Sequence, residues 1–197
     1  MDLCNERAWS ESAWPYPNPR NTWPAVRISL NRGRRFTAGQ RISSMQDFPH
    51  FYAVTATGFT HGDVALTADK LSSLLSASPS QFGGPGDVWS PETLLVGAIG
   101  DCLVLTFRAV AYASKLPWTA LRCDVTGTLD RVDHITRFTS FDVHAHLDIP
   151  DGTDPAAARR VLEKAERTCL ISNSLKAPIH LVPDVTVAAN QSELVAV

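Results

Sequence analysis

The sequence predicts an α+β fold in which antiparallel sheet flanks helices. Three observations carry this. Residues 91–115 are almost wholly apolar, and a helix that is hydrophobic on every side is a buried one. Residues 141–149 alternate: Phe141, Val143, Ala145, Leu147 and Ile149 fall on one face, and Asp142, His144, His146 and Asp148 on the other. That is a half-buried strand of an antiparallel sheet. Asp154-Pro155 then opens an amphipathic segment, with a capping acid before a proline suited to the first helical position. The order strands, buried helix, strands, amphipathic helix, strand is that of α+β proteins.

The elements follow in turn. Phe51 to Thr57 is rich in aromatic and β-branched residues and reads as a strand, Gly58 to Gly62 turns it, and Asp63 to Thr67 returns as a hairpin. Residues 76–90 form a loop punctuated by Gly83, Gly84 and Gly86. A glycine-rich loop before a helix can cradle phosphate, but no Lys-Ser/Thr follows these glycines and no G-x-G-x-x-G is present. Ser90 is positioned to cap, and Pro91 to begin, the apolar helix, which Leu116-Pro117 ends. Residues 120–130 and 136–149 are strands joined near Asp133. The second helix runs from Pro155 to about Thr168, with Val161, Leu162, Ala165 and Cys169 on its apolar face. His180 to Ala188 is the last strand.

Length and composition bound the function. A chain of 197 residues, 44% hydrophobic and 19% charged, holds one domain with a full core. Residues 1–44 carry seven Arg against three acids, three of the five Trp and no sustained period. They read as a disordered or non-native extension ahead of Met45 or, alternatively, as a basic interaction arm, and residues 45–197 as the folded domain. That domain holds 11 basic and 17 acidic residues; an acidic body without a basic stripe argues against nucleic acid as a partner. Asp101 and Arg108 interrupt the longest apolar run, so no membrane association is expected. The N-terminus lacks the apolar core of a signal peptide, so the expected location is cytoplasmic, where cysteines serve redox or catalytic chemistry more often than structural bridging. No cofactor and no metal centre is expected; His144 and His146 share a strand face, but no third ligand motif accompanies them.

The candidate chemistry lies in Cys102 and Cys169, each placed on a helix. A cysteine attacks only as thiolate, and burial among apolar groups opposes ionisation. Cys102 lies some three turns into its helix, too deep for much help from the helix dipole. It is therefore expected to need a cation. Glu92, ten residues earlier, works against a thiolate unless it holds an arginine that faces the sulfur. Cys4 and Cys123 have no polar constellation around them, and Arg159, Arg160, Lys164 and Arg167 read as a solvated helix face.

Three segments carry a resemblance. Pro91-Glu92 with Leu94-Leu95, the Ala-x-Gly-Asp-Cys102 run, and Ala165-Glu-x-x-Cys169-x-x-Ser172-x-x-Leu175 match the OsmC/Ohr family of thiol peroxidases in order and spacing. The resemblance covers roughly residues 50–188. It implies an intertwined homodimer with antiparallel sheets wrapped around long central helices, and active sites at the subunit interface. It implies that Cys102 is peroxidatic towards a small organic hydroperoxide, that Cys169 resolves the sulfenic acid as a disulfide, that Glu92 orients an arginine, and that a dithiol, in the family often a lipoyl group, resets the pair. The family arginine of the first hairpin is replaced: Gly58-Phe59-Thr60-His61-Gly62 has Thr60 at that place. His61, Arg108 or an arginine of a partner subunit are the candidate substitutes. The same departure motivates an alternative, a non-catalytic thiol sensor or apolar-ligand binder on the same fold. A third reading is a cysteine acyl-transfer enzyme with His61 as base.

Overall fold

The computed structural model describes residues 47–187, so the extension expected over residues 1–44 and Cys4 within it lie outside the described residues. The chain divides into two compact units, Met1–Pro91 and Glu92–Val197.

The first unit holds a three-stranded antiparallel sheet of β1 (Thr55–Thr57), β2 (Val64–Thr67) and β3 (Leu74–Ser76), in that order. The hairpin expected around Gly58–Gly62 is present, with Thr55 opposite Thr67 and Thr57 opposite Ala65. Its first strand is shorter than the aromatic run suggested. Pairing stops at Thr55 because β2 ends at Thr67 and the chain turns through Lys70, at φ 59°. Phe51, Tyr52 and Val54 are left exposed. β3 escaped the sequence reading because three residues carry too little alternation. The glycine-rich loop is built for a tight backbone rather than a phosphate. Ser80–Phe82 form a 3-10 turn closed by Gly83 at φ 75°, and the Gly84 amide donates to the Pro79 carbonyl at 3.0 Å. A Cβ on Gly84 would lie 1.6 Å from the Ser78 carbonyl oxygen.

The second unit places helices on one face of a second sheet. α1 (Pro91–Ala113) begins at the expected proline. It ends in a Schellman motif: the Lys115 amide donates to Tyr112 O at 3.1 Å and the Leu116 amide to Ala111 O at 2.9 Å. Lys115 stands at φ 52°, a left-handed position that glycine usually fills. β4 (Ala120–Val132) and β5 (Ile135–Ile149) pair antiparallel through a two-residue turn, Asp133 at φ 52° and His134 at φ 63°. Both central residues at positive φ make the primed turn whose twist suits a hairpin. α2 (Pro155–Thr168) is capped by Asp154, whose carboxylate accepts from the Ala156 amide at 2.8 Å. A short α3 (Leu170–Asn173) follows, then β6 (Ile179–Val187).

The sheet order is β4-β5-β6, and one feature corrects the antiparallel expectation: β6 pairs with β5 in parallel. The reason is connectivity. A crossover through α2 and α3 returns the chain in the direction of β5, whereas a hairpin would reverse it.

The core follows the alternation of β5. Phe141, Val143, Ala145, Leu147 and Ile149 are almost completely buried, packed with Ile99, Leu103, Phe107 and Ala111 of α1 and with Ala158, Val161, Leu162 and Ala165 of α2. Gly100 lets α1 lie close to β4, since a Cβ there would meet Val125 Cγ2 at 3.1 Å. The opposite face of the sheet is polar. His146 bridges the outer strands, with Nε2 3.3 Å from Asp124 and Nδ1 3.2 Å from Asp184, while Arg122 also binds Asp124. These side chains hold one another, and the described residues contain no cluster able to hold a metal. By length and composition α1 is apolar enough to cross a membrane, although a core helix passes the same test. Asp101 and Arg108 both lie on its exposed side.

The left-handed position after α1 gives a direct stability test. Lys115→Gly should raise the unfolding free energy in urea by about 1 kcal/mol. Gly84→Ala should lower it by about 2 kcal/mol or more, because backbone atoms must move.

Candidate functional site

Cys102 and Cys169 come together, as a redox pair requires, although 67 positions separate them in the sequence. Cys102 projects from the middle of α1, half-buried, while Cys169 is fully buried. Both thiols are free, and each lies within hydrogen-bonding reach of the other.

Cys169 is not inside a helix, as the sequence suggested. It is the break between α2 and α3, with extended backbone at φ −66°, ψ 119°. The break is held by side chains of the local sequence. Thr168 Oγ1 donates to Lys164 O at 2.9 Å, Asn173 Nδ2 donates to Arg167 O at 3.0 Å, and Ser174 Oγ donates to Leu170 O at 2.8 Å. Restarting the helix at Leu170 leaves its first amides without intrahelical acceptors. The amides of Leu170 and Ile171 donate instead to the Cys102 sulfur.

This geometry moves the two thiols in opposite directions. Burial pushes the Cys102 thiol up, but the Ile171 amide, the Cys169 thiol, the Thr106 hydroxyl and the Leu170 amide outweigh it, leaving Cys102 below its ordinary value. Thr106 Oγ1 lies 3.9 Å from Cys102 Sγ; four residues on, it shares the same helix face. Cys169 moves the other way. Its burial raises it, contacts from Ser172 partly oppose that, and the neighbouring Cys102 raises it again. The arrangement makes Cys102 the easier of the two to ionise and Cys169 the harder.

The expected cation is not part of this set. Among the described residues, the groups that lower Cys102 are two backbone amides, a hydroxyl and a thiol, none of them charged. Arg108, a candidate substitute, stands on the exposed side of α1. Sequence reasoning missed these donors because it sought charge. Thr106 carried a readable signal in its four-residue spacing from Cys102, whereas the amides of Leu170 and Ile171 have no side-chain signature.

Glu92 does not reach Cys102 within one chain. Ten residues along one helix separate them by about 15 Å. Its Oε2 is buried without a hydrogen-bond partner among the described residues, an arrangement that costs free energy until a donor reaches it. Cys123 stands apart from the pair: burial and the Asp124 carboxylate push its thiol up to about 11.

The sequence profile of the OsmC-like protein family matches residues 84–183. The uncharacterised protein YmaD of Bacillus subtilis (strain 168) is 24% identical over 136 residues, spanning 67% of this chain and 90% of that protein. Among solved structures, the organic hydroperoxide resistance protein OsmC of Legionella pneumophila is 25% identical, with a TM-score of 0.57 over 71% of this chain and all of that one. An OsmC-like protein of unknown function from Vibrio cholerae O1 biovar eltor reaches a TM-score of 0.61 at 14% identity, over 68% of this chain and all of that one.

The divided pair predicts an ordered alkylation profile. Iodoacetamide should modify Cys102 with an apparent pKa below the ordinary thiol value of about 8.5. Thr106→Val should raise that midpoint by roughly half a unit, since it removes one donor to the thiolate. Cys123 should stay unmodified at neutral pH; its rapid labelling by peptide mass mapping would contradict the assignment.

Proposed function

Because the chain belongs to the OsmC-like family, we propose that it is a cysteine-based peroxide reductase acting on organic hydroperoxides. The observation that carries this reading is that Cys102 and Cys169 come together with their thiols moved in opposite directions, Cys102 down and Cys169 up. The organic hydroperoxide resistance protein of Legionella pneumophila lends support at the level of the fold and family.

The chemistry balances within the pair. The Cys102 thiolate attacks one oxygen of the peroxide, the O–O bond breaks, and the leaving alkoxide takes a proton to depart as the alcohol. Cys102 is then a sulfenic acid. Cys169 attacks the sulfenate sulfur, the S–S bond forms and water leaves. A dithiol, for instance a lipoyl group, exchanges with the disulfide and returns both thiols. Cys169 is suited to wait as a thiol, because a second thiolate beside the first would be repelled.

The reading includes a homodimer. α1 is apolar all round, yet Leu105 and Tyr112 are exposed on one chain, and Glu92 lies too far from its own Cys102 to serve it. In a dimer the unpartnered Glu92 carboxylate of one copy approaches the site of the other. Its role there is to hold a donor. The expected setting is cytoplasmic.

A thiol sensor or apolar-ligand binder is the second reading, and Thr60 is the observation that favours it, since the hairpin arginine of the peroxidases is absent. Turnover separates the two. With cumene hydroperoxide and dihydrolipoamide, the intact protein should turn over repeatedly. Cys102→Ser should lose at least about 100-fold in rate. Cys169→Ser should complete one turnover and stop at a sulfenate that dimedone traps. Absence of Cys102-dependent turnover would favour the sensor.

A further inference from the structure

The basic residues of the domain are concentrated on one element. Residues 155–176, which hold α2, the break and α3, contain five of the eleven basic residues of residues 45–197 and only two of the seventeen acids. The rest of the domain carries six basic residues against fifteen acids. Arg160, Lys164 and Arg167 are exposed and follow one another four and three residues apart. On a helix they fall within an arc of about 60° and form a row about 10 Å long. Glu163 and Glu166, both half-buried, lie outside that arc. Asp154 Oδ2 lies 3.5 Å from Arg160 Nη2 at the start of the row. Among the described residues, no ion pair involves Lys164 or Arg167.

The helix itself does not account for this row. Like charges three and four residues apart repel. Arg167 stands in the last turn, where the helix dipole favours a cation, but Arg160 and Lys164 do not. The row ends at the redox pair. Cys169 follows Arg167 by two residues, and Leu170 joins surface to sulfur: its amide reaches Cys102, while its side chain is 73% exposed. An exposed apolar side chain beside a row of like charges has the composition of a docking surface, with an apolar centre and a charged rim. The row also limits what docks. It extends about 10 Å along α2, farther than a small dithiol at the sulfurs would touch. A long polyanion would meet the remaining acidic body and be repelled, whereas a compact acidic domain meets the row alone.

We propose that Arg160, Lys164 and Arg167, with Leu170, form the docking surface for a compact acidic protein domain that carries the dithiol reducing the Cys102–Cys169 disulfide. The inference rests on the peroxide reductase reading and names the surface that receives its reductant. The step balances. One thiolate of the docked dithiol attacks a sulfur of the disulfide, forming a mixed disulfide and releasing the other cysteine. The second thiol of the dithiol then displaces the first cysteine, so two electrons and two protons pass to Cys102 and Cys169 and the domain leaves as its own disulfide. The positive row speeds the encounter, because opposite charges steer association.

The test compares two reductants of the oxidised protein by stopped flow: free dihydrolipoamide and a dihydrolipoyl domain of net negative charge. The double variant Lys164→Glu/Arg167→Glu should be reduced by the domain at least about tenfold more slowly than the parent, and by free dihydrolipoamide within about twofold of it. Added sodium chloride should slow the domain's reaction with the parent and not with the variant, since salt screens exposed charges. The milder Lys164→Gln/Arg167→Gln should fall between the two, which separates lost charge from lost folding. Equal loss with both reductants, or no loss with the domain, overturns the proposal. Docking is also read without turnover. The oxidised lipoyl domain, titrated into nitrogen-15-labelled protein, should shift the amides of residues 160–170. Those shifts without peroxide turnover count against the peroxidase reading alone. Shifts that are absent, or that anionic phospholipid vesicles produce and the domain does not, overturn the docking surface.

Discussion

The buried face of β5 is the constraint on which the site depends. Its five alternating apolar residues take both helices onto one side of the sheet. Ile99, Leu103 and Phe107 fix the rotation of α1, and Ala158, Leu162 and Ala165 fix that of α2. With both rotations set, Cys102 turns towards the end of α2, where Cys169 waits. The two cysteines meet because two helices share one apolar surface. A polar residue at Val143 or Ala145 would loosen both anchors together.

The lowered pKa of Cys102 then follows from a break in the chain. A continuous α2 would consume the amides of Leu170 and Ile171 in its own hydrogen bonds. By ending at Thr168 and restarting after Cys169, the chain frees those amides and directs them at the Cys102 sulfur. Within one chain the donors to Cys102 are neutral, and the buried neighbour Cys169 contributes one of them. Cys169 thereby serves twice in the proposed cycle, as a hydrogen-bond donor to the waiting thiolate and as the sulfur that resolves the sulfenate.

Much of this was legible in the sequence because it rests on side-chain period. The β5 alternation, Pro91 and Pro155 at the first helical positions, the Asp154 cap and the turn at Asp133 are all local signals, and each is found where it was read. The motifs around Cys102 and Cys169 carried the family. What stayed hidden depends on connectivity and backbone. The parallel entry of β6 follows from the path of the crossover. The short β1 follows from where its partner strand stops. The donors of the site include main-chain amides, which every sequence possesses and none advertises. The left-handed Lys115 is hidden for the same reason, since lysine gives no sign of the conformation that glycine announces.

The central claim is that the amides after the helix break, with the Cys169 thiol, make Cys102 easier to ionise. Nuclear magnetic resonance reads this most directly, with the Cys102 Cβ carbon and the Leu170 and Ile171 amides followed through a pH titration of the reduced protein. The account predicts that the Cβ resonance titrates below the ordinary thiol range and that both amides move with the same midpoint. It also predicts that this midpoint rises when Cys169 is replaced by alanine. A Cys102 that titrates at or above about 8.5, or amides that ignore its ionisation, would contradict it.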